Sequence, residues 1–297
     1  MKVLISGASG LLGSAISARL NAAGHQVTET SRSGAGGANG AVIWRVQNEP
    51  APVSALIDKD AVIHLAGESI ASGRWTAERK ARIRDSRVLG TRNLVEGMRN
   101  AKNRPSVLIC ASAVGFYGDR GDESLTEDSP PGKGFLPEVC VEWEKEAKRA
   151  EELGVRVVNL RTGIVLSRSG GALEKMLPPF RLGIGGPLGS GNQWWPWVHL
   201  DDVTGIVEHV MKTPSIRGPV NAASPGIVRN ADFTSALARA LNRPAILPAP
   251  SFALRLIFGE MADALLSSER VIPTVALASG FAFQFEDIDA ALRDLLK

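Results

Sequence analysis

Lys2-Val-Leu-Ile-Ser-Gly-Ala-Ser-Gly-Leu-Leu-Gly13 is the stretch that decides the fold. Its residues Val3 to Ser6 form an apolar run of strand length, glycines follow at every third position, and a helical segment runs from Leu11 to Leu20. A helix N-terminus behind a glycine turn offers unpaired N–H groups and the positive end of the helix dipole, which suits a phosphate. The order of strand, glycine turn and helix therefore predicts a dinucleotide-binding site, and a glycine-rich turn without a ligand is the alternative.

Composition limits the class of protein. The 297 residues are 44% apolar and 22% charged, with a net charge of +3, which is typical of a soluble globular protein. This charge balance is too mild to indicate nucleic acid or membrane as partners, and we expect neither. The expected partner is a small-molecule substrate, which could be nucleotide-linked, and the expected state is a monomer or homodimer. Two cysteines, Cys110 and Cys140, without a histidine cluster predict neither a disulfide framework nor a metal site. No apolar run approaches the ~20 residues of a membrane span, so the expected location is cytoplasmic.

Strands and helices alternate along the first half of the chain. Strands are predicted over residues 25–30, 41–46, 60–67, 106–111 and 155–160, with helices over 52–57, 74–101 and 138–153 and a Gly/Ala/Ser-rich loop over 33–40. Such alternation predicts an α/β fold, a Rossmann-type doubly wound parallel sheet. We assign residues 1–166 to a cofactor-binding domain, with sheet elements continuing to about residue 222, and 167–297 mainly to a smaller mixed α/β substrate lobe.

Three helices are predicted in that second half. They cover residues 230–241, 252–266 and 288–296, and Asp201 or Asp202 is expected to cap a further helix that reaches Met211.

The end of the second predicted strand indicates which cofactor is bound. An acidic residue at that point would bond the ribose 2′-hydroxyl of NAD, whereas an arginine favours the 2′-phosphate of NADP. The strand runs into Ser31-Arg32, and Glu29 lies two positions too early. We therefore predict NADP(H), with a solvated surface Arg32 as the alternative. The residues expected to contact it are Gly7, Ser9, Gly10, Leu11, Leu12, Gly13, Ser31, Arg32, Leu65, Ala66, Gly67, Arg82, Arg87, Thr162 and Val165.

Several motifs together resemble a known family. They are Ser6-Gly-Ala-Ser-Gly-Leu-Leu-Gly13, His64-Leu-Ala-Gly67, Ser112-Ala-Val-Gly-Phe-Tyr-Gly118 and Arg161-Thr-Gly-Ile-Val-Leu166. The chain resembles an atypical extended short-chain dehydrogenase/reductase, and most closely the NAD(P)-dependent epimerase/dehydratase "epimerase family" proteins of unassigned substrate. The resemblance implies a Rossmann domain with NADP(H) and a C-terminal substrate lobe.

The catalytic residues that this resemblance implies are largely replaced. Superfamily enzymes use a Tyr-x-x-x-Lys pair, in which the lysine lowers the pKa of the phenol. Leu136 stands at the tyrosine position and Cys140 at the lysine position, and Arg87 begins the segment where an asparagine is usual. Of the usual groups, a serine remains, Ser112, near its expected place.

Other residues could have taken over proton transfer. The candidates are Ser112, Tyr117, Glu68, His199 and Glu142, and Cys140 could be a redox-sensitive thiol that faces the nicotinamide. Each of these residues also has a purely structural alternative. Ser112 could bond the backbone, Tyr117 could simply pack, and Cys140 could be a small buried hydrophobe. Glu68 could be a surface or helix-start carboxylate, His199 could stabilise the lobe through a hydrogen bond, and Glu142 could be a solvated helix residue.

Two functions stay open on these residues. One is an epimerase or oxidoreductase with a non-standard site, acting on a nucleotide-linked or small carbonyl substrate. The other is a non-catalytic NADPH-binding regulatory or scaffold protein. Trp194, Trp195 and Trp197 could stack on a substrate base or sugar, or could plug the space between lobe and sheet.

Overall fold

A seven-stranded parallel sheet forms the centre of the computed structural model, which describes residues 1–32 and 41–297. The strands are β1 (Lys2–Ser6), β2 (Gln26–Ser31), β3 (Val42–Ile43), β4 (Ala61–His64), β5 (Val107–Ala113), β6 (Ser124–Leu125), β7 (Arg156–Thr162), β8 (Ile164–Leu166), β9 (Trp194–Trp195), β10 (Trp197–His199), β11 (Gly218–Ala222), β12 (Val228–Arg229) and β13 (Arg270–Val271). The central sheet has the order β11-β7-β5-β4-β1-β2-β3. The chain thus starts in the middle of the sheet and winds outward to both edges.

Helices cover both faces of this sheet. They are α1 (Leu11–Ala22), α2 (Val53–Leu56), α3 (Ala77–Asn100), α4 (Phe135–Lys148), α5 (Gly171–Arg181), α6 (Leu200–Lys212), α7 (Asn230–Leu241), α8 (Ser251–Phe258), α9 (Met261–Leu266), α10 (Thr274–Ala278) and α11 (Ile288–Leu295). One apolar cluster packs α1 and α6 on the sheet, and a second packs α3 and α4 on its other face. Strands that are buried on both faces read as continuous apolar runs, as in β4 and β5. The prediction of a doubly wound parallel α/β sheet is confirmed.

The elements after β7 build a smaller lobe. Short strand pairs β8–β10 and β9–β12 lie beside α5, α7 and α11, and their apolar side chains form a separate cluster around Trp195, Trp197 and Phe233. Strand β11 returns to the central sheet from within this half of the sequence, where it pairs with β7. The assignment of residues 1–166 and 167–297 to two domains stays a prediction.

The structure corrects three local predictions. The predicted strand over residues 41–46 is ordered as a strand only at Val42–Ile43. The predicted helix over 252–266 is two helices, α8 and α9, because Gly259 has a positive φ of 62° that a helix cannot contain. His199, rather than Asp201 or Asp202, caps α6, because its ring accepts the backbone N–H of Asp201. The loop predicted over residues 33–40 lies outside the described residues.

The described residues contain no helix that is long and apolar enough to cross a membrane. Across residues 1–32 and 41–297, no group of three or more His, Cys, Asp or Glu residues could hold a metal ion.

Candidate functional site

The glycine turn between β1 and α1 brings the chain to within contact distance of the segment after β4. A Cβ on Gly7, whose φ is +76°, would lie 2.8 Å from the backbone nitrogen of Ala66, and one on Gly13 would lie 2.2 Å from the carbonyl oxygen of Gly7. These two positions need glycine for the fold itself. Gly10 differs, because among residues 1–32 and 41–297 a Cβ there would meet only the Gly7 carbonyl oxygen, at 3.4 Å. The side of the turn at Gly10 is therefore the side on which a ligand can approach.

The N-terminus of α1 faces this open side. Gly10 precedes the helix and has no side chain to cap it, so the first-turn N–H groups of Leu11 and Leu12 are placed to bind an anion. The side chain of Leu11 lies against the start of α5, since a Cβ on Gly171 would lie 3.1 Å from Cδ2 of Leu11. Ser9 is exposed beside them. The site is thus bounded by the glycine turn and by the first turn of α5.

The carboxyl ends of neighbouring strands complete the same edge of the sheet. Leu65 and Ala66 follow β4 directly behind Gly7, and Thr162 ends β7 in register with Ala113 of β5. Val165 lies in β8, which pairs with β10. This edge, where parallel strands end and chain direction changes, is where open α/β sheets bind ligands.

The end of β2 carries the residues predicted to choose between NAD and NADP. Arg32 is exposed, and Ser31 is half-buried in register with Ile43 of β3. The carboxylate of Glu29 accepts a hydrogen bond of 2.6 Å from the hydroxyl of Ser17 on α1. Glu29 is therefore engaged by the helix, whereas Arg32 is exposed.

Arg87 is held beneath the segment that follows β4. Its Nη1 donates to the carbonyl oxygens of Glu68 and Ile83 at 3.0 Å, and its guanidinium lies 5.2 Å from the Trp143 ring centroid. A Cβ on Gly67 would lie 3.4 Å from Cζ of Arg87, so the small residue lets the cation lie against the backbone. Arg87 is thus placed at the cleft predicted for the cofactor.

Glu68 and Arg82 lie beside this segment. The Glu68 carboxylate accepts from Arg79 at 2.7 Å, with Arg82 at 3.9 Å, and the Arg82 side chain is largely exposed. The Arg79 guanidinium thus already engages this carboxylate. This geometry favours a structural role for Glu68.

Ser112, which stands near the expected place of the family's catalytic serine, is hydrogen-bonded to an acidic side chain. Its hydroxyl donates to Oε1 of Glu144 at 2.7 Å. Glu144 in turn forms a bidentate ion pair with Arg161, with both N···O distances at 2.9 Å. Ser112 and Arg161 face each other in register on β5 and β7, so the sheet itself positions them. The serine proton points at Glu144, and the Cys140 side chain is a second hydrogen-bonding neighbour of the buried Ser112 hydroxyl.

Tyr117 belongs to the same network but is fully buried. Its hydroxyl accepts from Nη1 of Arg161 at 3.0 Å and donates to Oδ1 of Asn221 at 2.7 Å. Burial raises the pKa of Tyr117 to about 12. The structural alternative, a packed tyrosine with a satisfied hydroxyl, describes this geometry.

Apolar side chains occupy the positions of the absent Tyr-Lys pair. Leu136 joins a cluster with Trp75, Ile83 and Met261, which links α4 to the C-terminal lobe. Cys140 is buried with its Sγ 3.9 Å from the carbonyl oxygen of Ala113, and burial raises its pKa to about 12. A thiol in this state is neither a proton donor near neutral pH nor a reactive nucleophile.

His199 serves the fold of the lobe. Its Nδ1 accepts the Asp201 N–H at 3.1 Å, its ring stacks on Phe285 at 3.9 Å, and burial lowers its pKa. Asp202 joins α6 to the segment that precedes α11, because its carboxylate accepts the backbone N–H groups of Gln284 and Phe285.

Glu142 lies in an exposed ion pair with Arg84.

The three tryptophans divide between core and surface. Trp195 and Trp197 are buried in the apolar cluster of the lobe itself, whereas the plug alternative placed them between lobe and sheet. Trp194 is half-buried, and the guanidinium groups of Arg229 and Arg270 lie 4.3 and 5.0 Å from its ring centroid. Cation–π contacts already engage this ring, which disfavours stacking on a substrate.

Sequence reasoning missed Glu144, Asn221 and Glu127 as parts of the polar network. Buried Glu127 accepts the backbone N–H of Asn221 at 3.0 Å, which places it under Tyr117. The available signal was Arg161, a charged residue inside an apolar strand, because a buried guanidinium needs a carboxylate partner. Sequence spacing does not identify which carboxylate that is.

Comparisons with known proteins agree with this architecture. Residues 3–223 match the NAD dependent epimerase/dehydratase family, and residues 249–295 match a domain of unknown function, DUF1731. Epimerase family protein MT2273 of Mycobacterium tuberculosis is 42% identical over 291 residues, which cover 98% of this chain and 96% of the relative.

Two solved structures extend the comparison. A crystal structure of human epimerase family protein SDR39U1 (isoform 2) with NADPH matches at a TM-score of 0.90 and 34% identity, covering 100% of this chain and 99% of the human one. The Thermus thermophilus UDP-glucose 4-epimerase, in complex with NAD, has the same fold at a TM-score of 0.77 and 20% identity, covering 100% and 97% of the two chains.

Proposed function

Because the chain belongs to the NAD dependent epimerase/dehydratase family, we propose that it binds NADP(H) at the carboxyl edge of its sheet and carries out an oxidoreductase or epimerase reaction with a non-standard active site. The observation that carries the proposal is the glycine turn, in which Gly7 and Gly13 pack the turn tightly and Gly10 leaves one side open. The NADPH in the similar human structure supports the choice of cofactor.

The residues fit a dinucleotide along the whole edge. The N-terminus of α1 would hold the pyrophosphate, and Arg32 the 2′-phosphate. Arg87 would reach ribose or phosphate oxygens, and the strand ends at Ala66 and Thr162 would border the nicotinamide. When bound, the cofactor supplies a hydride.

Ser112 is the proposed contact for the substrate oxygen. Its own proton is donated to Glu144, so its oxygen accepts a hydrogen bond from a substrate hydroxyl and orients it. Glu144 is held in position because Arg161 binds both of its oxygens. In this arrangement Ser112 replaces the orienting part of the usual machinery, and the chemistry fits a small carbonyl or nucleotide-linked alcohol.

The apolar cluster around Leu136 favours a second function, which is NADPH binding without catalysis. Where a tyrosine would donate a proton, a hydrophobic cluster joins the lobe to α4. A protein of this kind would bind NADPH without turnover and respond to its concentration through the position of the lobe.

Cofactor binding is tested with Gly10→Ala. The added methyl has room in the protein but occupies the side on which the pyrophosphate would approach. NADPH titration followed by fluorescence should show an affinity loss of about tenfold or more, since even one misplaced phosphate contact costs about 1.4 kcal/mol. Ser14→Ala, an exposed change on the same helix, is the control and should bind like the unmodified protein. Equal NADPH affinity of the Gly10 variant would overturn the proposed site.

Turnover is tested separately with carbonyl compounds and nucleotide sugars. Loss of NADPH absorbance that is slowed in Ser112→Ala supports the enzymatic function. Tight NADPH binding without oxidation across the panel, and without conversion of nucleotide sugars, assigns the protein to the binding function instead.

A further inference from the structure

A group of large apolar side chains remains outside the core of the C-terminal lobe. Four of them, Leu182, Ile246, Phe252 and Leu256, are 73–76% exposed. With three less exposed neighbours they form what we name the C-terminal apolar patch, which consists of Leu182, Ile184, Ile246, Leu247, Phe252, Leu256 and Ile257. Single exposed apolar residues are ordinary on protein surfaces, but a group of this size marks an interaction surface.

Backbone pairing makes the patch continuous. The segments 182–189 and 244–250 run side by side, with hydrogen bonds from the Leu247 N–H to the Gly185 carbonyl and from the Ala249 N–H to the Pro187 carbonyl, at 3.3 and 2.9 Å. Helix α8 follows directly from the second segment. The apolar side chains of both segments therefore belong to one side of the lobe.

Helix α8 has an unusual distribution of apolar residues. Leu254 is its buried contact with the lobe, while Phe252 and Leu256, one helical turn apart, point outward with Ile257. A surface helix normally places polar residues on its solvent side. The outward face of α8 is therefore suited to contact with an apolar surface.

The two chain segments that carry the patch are cationic. Residues 175–200 and 233–259 contain Lys175, Arg181, Arg239, Arg243 and Arg255, and neither stretch contains an Asp or Glu. Arg239 and Arg255 have partners in Asp289 and Asp263. Within the described residues, no ion pair engages Arg181 or Arg243. The patch thus combines protruding apolar side chains with cations and lacks carboxylates of its own.

We propose that the C-terminal apolar patch docks the protein on the surface of a bilayer that contains anionic lipids. Protruding side chains can enter the boundary between headgroups and acyl chains, and the flanking arginines then meet lipid phosphates. Side chains that are about three-quarters exposed do not line a groove for a peptide. A second copy of the chain would present the same cations to itself, so self-association through this patch is disfavoured.

Vesicle flotation with the full chain and NADPH tests this proposal. The protein should float with vesicles of phosphatidylcholine and phosphatidylglycerol, float less with phosphatidylcholine alone, and be released by salt because ionic attraction is screened. The double variant Phe252→Ser/Leu256→Ser should lose about tenfold or more of its partitioning, since it replaces the two most exposed apolar side chains of α8 with polar ones.

Matched controls separate docking from folding. Ile43→Ser and Ile57→Ser remove similarly exposed apolar residues outside the patch and should leave flotation unchanged. The double variant should keep its NADPH affinity and its thermal unfolding midpoint. Absence of flotation with anionic vesicles, or equal flotation of the double variant, would overturn the proposal. A dimer that dissociates in the double variant, without vesicle binding, would assign the patch to a second copy.

Discussion

Glu144 and Arg161 form a bidentate ion pair between α4 and the central sheet, with side chains that are only 12% and 5% exposed. Helix α4 supplies the carboxylate and β7 the guanidinium, so the pair fixes the helix to the sheet. Through Glu144 it also orients Ser112, and through Arg161 it orients Tyr117.

Glu144→Gln should therefore destabilise the fold strongly. The substitution keeps the shape of the side chain but leaves the buried Arg161 without a counter-charge, which typically costs about 3–5 kcal/mol. The free energy of unfolding in urea measures the effect. Glu142→Gln is the matched control on the same helix, because its ion pair with Arg84 is about half exposed and should contribute at most about 1 kcal/mol. Equal losses in the two variants would contradict this account of the buried pair.

Stability should also fall as the pH drops, in part because of His64. This residue is fully buried, its Nδ1 lies 2.6 Å from the hydroxyl of Ser6, and burial lowers its pKa from 6.5 to about 4. Between these pKa values the unfolded chain binds a proton that the folded chain does not, so the free energy of unfolding decreases as the pH falls through this window. The integrated loss is about 3 kcal/mol.

Urea unfolding at pH 7 and at about pH 4 measures this contribution when wild type is compared with His64→Gln. The variant side chain does not titrate, so its stability should depend less on pH, even if it is less stable at pH 7. Parallel pH profiles for the two proteins would show that His64 is protonated alike in the folded and unfolded states.

The fold was largely predictable because its signals are local. The spacing of Gly7 and Gly13 follows from contacts within the β1–α1 turn and with the segment after β4, and α7 begins and ends where the sequence predicts. The division of α8 from α9 was missed because a single glycine does not usually end an otherwise helical pattern, whereas Gly259 adopts a positive φ here.

The polar network and the apolar patch were less predictable because they depend on tertiary placement. Glu144, Arg161, Tyr117 and Asn221 come from four separate segments that meet only when the sheet has formed. Hydropathy likewise predicts Phe252 to be inside, and only the packing of α8 leaves it outside.

Both cysteines should be unreactive in the folded protein. Cys110 and Cys140 are buried, and burial raises both of their pKa values to about 12, so the thiolate fraction at neutral pH is very small. Ellman's reagent should label neither thiol under native conditions and both after unfolding. Fast native labelling that is lost in Cys140→Ser would instead support the hypothesis of a redox-active thiol at this position.

Arg32→Ala should weaken NADPH binding selectively. If the exposed guanidinium at the end of β2 binds the 2′-phosphate, its removal costs about 1.5–3 kcal/mol, which is about ten- to a hundredfold in affinity. NADH lacks this phosphate, so its affinity should stay the same, and the ratio of the two dissociation constants separates a specific contact from general damage. Arg217→Ala, an exposed change beside the opposite edge strand β11, controls for the loss of one positive charge. An unchanged NADPH-to-NADH ratio would show that Arg32 is a solvated surface residue and that selection for NADP(H) must arise elsewhere along the cofactor edge.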